Sequence, residues 1–292
     1  IVVFQALRKV AGKALVGSQG WLLAGLSLLA LFVFNTPFPL IIIAAGAWGM
    51  WRADQTTTTA PTAPVTASPA RVIALWGSLW AAPFGVLWAL NADFLLQLGL
   101  FFSKLAVVTF GGAYAVLGYM TQTVVSDLGW ITTEQLIDAL GLAETTPGPL
   151  ILVTEFVALL AGFAQSGLSG AVAAGLLALW VTFTPCFLWI FLAGPYLERL
   201  SAQPRLTAGL TAITAAVVGV IANLALWFAL HVLFEDVGTT QMFAVPLPVW
   251  SSLDGTALLL TALAAVLMLA LRVGFVPAMI LLAICGVSVP LI

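Results

Sequence analysis

Apolar residues run along this chain in long blocks separated by short polar interruptions. The blocks are 1–16, 21–34, 37–51, 72–90, 94–125, 134–165, 168–192, 206–232, 255–271 and 274–291. Several reach the roughly 20 apolar residues that a helix needs to cross a hydrocarbon core. Backbone polar groups find no water in lipid, so spanning segments of this kind must be helical. The pattern predicts an all-α, polytopic membrane protein.

One segment has a different character. "RADQTTTTAPTAPVTASPAR", residues 52–71, is Thr, Ala and Pro with almost no bulky residues. Such a composition cannot bury a core and reads as a flexible linker. It divides the chain into 1–51 and 72–292.

Composition sharpens the class. Charged residues are 7% of the chain and hydrophobic ones 62%, against about 25% charged in a soluble domain. The net charge of −2 comes with no basic tract, so no nucleic-acid surface is expected. His231 is the only histidine, which argues against a His-based metal site, a Ser-His-Asp triad and the common enzyme classes. No metal and no cofactor are expected. Cys186 and Cys285 sit in apolar stretches and are expected as small core residues rather than a disulfide framework.

Basic residues favour the cytoplasmic side of short loops. With the 52–71 linker placed inside, Arg8, Lys9, Lys13, Arg52, Arg71, Arg199, Arg205 and Arg272 all fall inside. Lys104 is the exception. The same topology sets 1–51 and 217–291 in opposite orientations. Both end in a Pro-led apolar helix, "FPLIIIAAGAWG" and "FVPAMILLAICG". Inverted repeats with substrate held between them at broken helices are a transporter design. The expectation is therefore an inverted-repeat transporter in which 1–51 is the end of a truncated first repeat. On this reading 72–292 is the second repeat with one extra connecting helix. The chain starts without methionine inside an apolar block, which fits the truncation.

The most informative stretch is "LAETTPGPLILVTEF", 142–156. Thr132 and Gln135 are spaced for a capping box, so a helix should begin there and run to Glu144. Pro147 and Pro149 cannot continue it, and proline suits the first turn of a new helix. A helix starting at depth in the membrane presents unpaired N–H groups and a partly positive end. With Gly148 between the prolines and the hydroxyls of Thr145 and Thr146 beside them, the break is shaped to cradle an anion. Glu144 and Glu155 flank it. Carboxylates inside a span are costly and mark function, and a carboxyl that can take up and release a proton suits a proton-coupled carrier.

A second candidate break lies in "FSKLAVVTFGGAYAVLGYM", 102–120. Gly111-Gly112 permits close backbone approach or local unwinding. Thr109 and Tyr114 can donate hydrogen bonds there. Lys104, two turns earlier, is either a snorkelling lysine or a charge that attracts substrate.

The stretches "FFSKLAVVTFGGAYAVLGYM", "GLAETTPGPLILVTEFV", "TPCFLWIFLAGPYLERL" and "ITAAVVGVIANLALWFALHVLF" closely resemble the second half of the chromate ion transporter family. The likeness is strong over about 94–234, and 1–51 looks like the end of the first half of the family's two-half members. The resemblance implies an all-helical carrier of the inner (plasma) membrane that expels chromate, using the proton motive force, and confers chromate resistance. Sulfate is the usual competing oxyanion. Gly111, Gly112, Tyr114, Glu144, Thr145, Thr146, Pro147, Gly148 and Pro149 match the family's signature positions. Gly118 stands where many relatives are expected to carry proline. The implied partners are a chromate- or sulfate-like oxyanion, protons and the lipid bilayer. A homodimer, a sulfate-type permease or passive anion channel, and a non-transporting fragment of a two-half carrier stay open.

Overall fold

The computed structural model describes residues 1–53, 68–108, 113–145, 150–197, 202–239 and 245–288. Among these the chain is helical almost throughout, with eleven α-helices and one short β-ribbon. Among the described residues, three helical runs are long and apolar enough to cross a membrane: Pro69–Ala89, Val153–Tyr196 and Pro204–Leu233. The fold is that of an all-α, multi-pass membrane protein, as the block pattern predicts. The helices group into two compact units, Ile42–Thr214 and the pair Ile1–Ile41 with Ala215–Ile292.

In the second of these, α1 (Val2–Ala14) and α2 (Gly17–Phe32) pack with the later part of α9 (Pro204–Leu233). Leu7, Val10, Ala11 and Leu15 lie against buried Ala14, Ala24 and Val218. Gly219 lets α9 approach α2 closely: a Cβ there would collide with the Ala24 carbonyl and with Leu28 N and Ser27 Cβ. Helices in lipid gain no hydrophobic drive toward one another, so such small-residue contacts supply the packing. After α9 a two-stranded antiparallel ribbon joins β1 (Val237–Thr239) to β2 (Pro246–Pro248), an element the apolar blocks did not predict. α10 (Gly255–Ala265) follows, capped by the Asp254 carboxylate, which accepts from Thr256 N and Ala257 N at 2.8 and 3.0 Å. A π-helical turn, Val266–Ala270, and a left-handed Arg272 (φ 53°) lead into α11 (Phe275–Ser288).

The other unit holds the body of α3 (Phe38–Arg52), α4 (Pro69–Ala89), α5 (Asp93–Val108), α6 (Ala113–Thr121), α7 (Thr133–Thr145), α8 (Val153–Ala193) and the start of α9. Gly49 brings α3 onto α9, where an added Cβ would lie 2.5 Å from the Ala208 carbonyl oxygen. Antiparallel α4 and α5 are joined by Trp80 Nε1 donating to Ser103 Oγ at 3.0 Å. On its other side α4 meets α8: Trp76 stacks on Phe187 and Phe191, and Trp180 Nε1 donates to the Leu79 carbonyl at 2.9 Å.

α8 is a hairpin. Its 41 residues would extend about 60 Å as one rod, twice the roughly 30 Å hydrocarbon thickness. The chain instead reverses at Ser166 and Gly167, whose backbone angles are not helical. Gly167 has φ 65° and ψ −148°, a region open essentially only to glycine. The two arms then pack tightly, with the Gly162 and Gly170 carbonyls each occupying the place of the other's missing Cβ. Further from the turn, the Gly175 Cα faces Leu159, whose Cδ2 lies 2.8 Å from where a Cβ would stand.

The cysteines depart from expectation. Cys186 and Cys285 are exposed on the surface of the chain rather than buried in its core. Both lie on outward faces of apolar helices, where the periodicity of a lipid-facing stripe and of a core stripe is the same.

Candidate functional site

α7 begins where its capping residues dictate. The Thr132 N–H donates to Gln135 Oε1 at 2.9 Å, and the Gln135 N–H donates to Thr132 Oγ1 at 3.3 Å, the reciprocal pair of a capping box. α7 ends at Thr145. A 3₁₀ turn spans Leu150–Leu152 and α-helix follows from Val153. The interruption expected at Pro147-Gly148-Pro149 falls outside the described residues. Thr154 ties the new start together, its Oγ1 donating to the Ile151 carbonyl at 2.7 Å.

Of the residues singled out from the sequence, Glu144 and Thr145 close α7, and Tyr114 belongs to the first turn of α6. Thr146, Pro147, Gly148 and Pro149 lie outside the described residues, as do Thr109, Gly111 and Gly112. α5 ends at Val108 and α6 starts at Ala113, on either side of the paired glycines. Glu155 stands in the first turn of α8, half-buried, with its Cγ 3.9 Å from the Cβ position of Gly175 in the opposite arm. Lys104 is exposed on α5, and its Nζ lies 5.7 Å from the centre of the buried Tyr119 ring. Lys104 and Glu155 belong to the same unit.

One polar side chain in this region was not picked out from sequence. Thr182, on the second arm of α8, is 7% exposed, and its Oγ1 is the one buried side-chain polar atom among the described residues with no hydrogen-bond partner. Leaving a buried hydroxyl unpaired costs about 1–3 kcal/mol. The sequence holds only a weak signal for it, a threonine three residues before Pro185. Among the described residues no cluster of His, Cys, Asp and Glu could hold a metal ion. A recess of about 440 Å³ between α4 and α8 is walled by Trp76, Leu79, Trp180, Phe183 and Phe187. Its apolar wall offers little to an anion.

Long apolar helices, one of them folded into a hairpin, define a multi-pass membrane protein. The family described as chromate transporter matches residues 96–288, and the chain belongs to that family. It is 32% identical over 140 residues to a chromate transport protein of Cupriavidus metallidurans, covering 48% of this chain and 33% of that one. It is 33% identical over 147 residues to a chromate transport protein of Pseudomonas aeruginosa, covering 49% and 33%. It is 32% identical over 127 residues to a probable chromate transport protein of Synechococcus elongatus, covering 44% and 30%. The chain spans about one third of the length of these relatives. No solved structure matches it.

Proposed function

We propose that the protein of which this chain is part exports chromate across the plasma membrane, driven by the proton motive force, and so confers chromate resistance. What supports this reading is the 3₁₀ start at Leu150–Leu152, which follows Glu144 and the Pro147-Gly148-Pro149 of the sequence in a chain of this family. The hairpin gives that start its depth. With the polar turn Gln165-Ser166 at one membrane face, the first arm of α8 runs about 20 Å back to Val153. That is inside a core about 30 Å thick. Irregular backbone at such depth is tolerated where it is buried in protein or lines a cavity. An anion gains there from helix-start N–H groups and threonine hydroxyls.

In this reading Thr145, Thr146, Pro147, Gly148 and Pro149 hold the oxyanion, with Thr109, Gly111, Gly112 and Tyr114 opposite and Lys104 raising its local concentration. Glu144 and Glu155 exchange protons in step with the anion. The repeat architecture, with 1–51 closing a first repeat and 72–292 forming the second, supplies the two halves between which access alternates. The test is transport in the full-length protein carrying Thr145→Ala and Thr146→Ala. Chromate uptake into inside-out vesicles should fall at least tenfold at low chromate, and resistance should drop with it. Uptake at the wild-type level defeats the cradle. Uptake indifferent to the pH gradient replaces the carrier with a passive anion pathway.

A further inference from the structure

We infer that the Thr182 hydroxyl is a substrate-binding donor facing the Leu150–Leu152 turn that leads into α8. The inference rests on the carrier reading above and adds to it a residue from the opposite arm of the hairpin.

The register of the hairpin carries the argument. Gly175 faces Leu159 across the two arms. Residues seven apart on a helix share a face and lie about 10 Å apart along the axis. Two turns beyond Gly175 is Thr182, and two turns before Leu159 in the antiparallel arm is Leu152. Thr182 therefore points toward the first arm at the level of its opening turn, Leu150–Leu152. A second register agrees. α5 runs antiparallel to α4, as Phe84 against Gly99 and Trp80 against Ser103 show, and α4 runs antiparallel to the second arm. α5 thus runs parallel to that arm, with Gly99 against Leu177. Five residues on, Lys104 and Thr182 reach the same level.

The hydroxyl is also turned away from its ordinary partner. A threonine inside a helix commonly returns its hydrogen bond to the carbonyl four residues back. Thr121, Thr211 and Thr214 do so here, to Leu117, Thr207 and Leu210, each at 2.8 Å. Thr182 does not, although it is more than nine-tenths buried. A valine would fill the same volume without leaving a polar atom unpaired. The donor faces a helix start, where N–H groups and the helix dipole favour negative charge. A tetrahedral divalent oxyanion bound there would accept this bond in addition to the backbone ones.

The experiment uses the full-length protein with Thr182→Val and Thr182→Ser. Chromate and sulfate are the probes, read as the KM of uptake into inside-out vesicles and as protection of the purified protein against thermal unfolding. Thr182→Val should raise KM about tenfold or more, the size of one hydrogen bond to a charged group. It should blunt the thermal protection to match and leave the ligand-free melting temperature equal to wild type or higher. Thr182→Ser should keep wild-type affinity within about threefold. The proposal is overturned if Thr182→Val binds within twofold of wild type, or if its affinity falls only together with ligand-free stability. Should Thr182→Val fail to accumulate, Thr182→Ala is read by the same criteria. A wild-type protein that shows no saturable binding of either anion defeats the carrier reading itself. Normal wild-type binding with an unaffected valine variant defeats only the role of Thr182.

Discussion

The ammonium nitrogen of Lys104 sits 5.7 Å from the centre of the Tyr119 ring, which is itself 6% exposed. A cation over an aromatic face at this range gains about 0.5–2 kcal/mol, more as it loses water. The contact links α5 to α6, on the two sides of the Gly111-Gly112 pair. It also restrains a side chain that would otherwise snorkel freely toward the membrane surface.

A double-mutant cycle follows from this geometry. Lys104→Met and Tyr119→Leu, singly and together, should show a coupling of about 0.5–1 kcal/mol in the unfolding of the detergent-solubilised protein. In transport, Lys104→Met should raise the KM for chromate several-fold at low ionic strength, and the difference should shrink as salt screens the charge. Strict additivity in the cycle removes the contact. A KM that ignores both lysine and salt reduces Lys104 to a membrane anchor.

The α8 hairpin makes a sharper structural prediction. Gly167 occupies backbone space that other residues enter at a cost of about 1–3 kcal/mol. At Gly162 an added side chain meets the Gly170 carbonyl directly. Gly162→Val should therefore cost about 3 kcal/mol and abolish accumulation in the membrane. Gly167→Ala should lower the melting temperature by several degrees while leaving a folded protein. Gly77, by contrast, has open space where a Cβ would go, so Gly77→Ala should change little. Equal tolerance at all three positions is incompatible with the arms packing as described.

Much of this was legible from residue types and spacing, where a local rule sufficed. Thr132 and Gln135 announce the start of α7 because a capping box involves only four consecutive residues. Pro147 and Pro149 point to an interruption by the same kind of local rule, since proline removes a backbone donor and clashes with the preceding turn, and this expectation falls outside the described residues. The hairpin turn was visible as the gap between blocks 134–165 and 168–192, since Ser166 and Gly167 are small and helix-breaking. Properties set by tertiary packing were not legible. Thr182 reads like any other threonine in an apolar helix, and only the register of two arms reveals a hydroxyl without a partner. The cysteines fail for the opposite reason: in a membrane protein an apolar position can face lipid as well as core, so hydrophobicity alone does not fix burial. The ribbon at Val237–Thr239 and Pro246–Pro248 is three residues per strand, too short for alternation to register.

Glu155 offers a test that separates coupling from binding. It stands in the first turn of α8, half-buried against the Gly175 position of the second arm and one turn from the Leu150–Leu152 start. In the carrier reading proposed above, this carboxyl accepts a proton from outside once the anion has left and gives it up to the cytoplasm before the next anion binds. Glu155→Gln keeps the shape and hydrogen bonding of the neutral acid but holds no exchangeable charge. The variant should still exchange labelled chromate for unlabelled chromate across vesicle membranes at a rate within about threefold of wild type. Net uptake driven by an imposed pH gradient should fall by at least tenfold. Glu144→Gln provides the comparison: whichever substitution uncouples net flux while sparing exchange marks the acid that carries the proton. If both variants keep the full response to the pH gradient, neither carboxyl is the coupling group. If both lose exchange as well, the acids support the structure or the anion site instead of the proton.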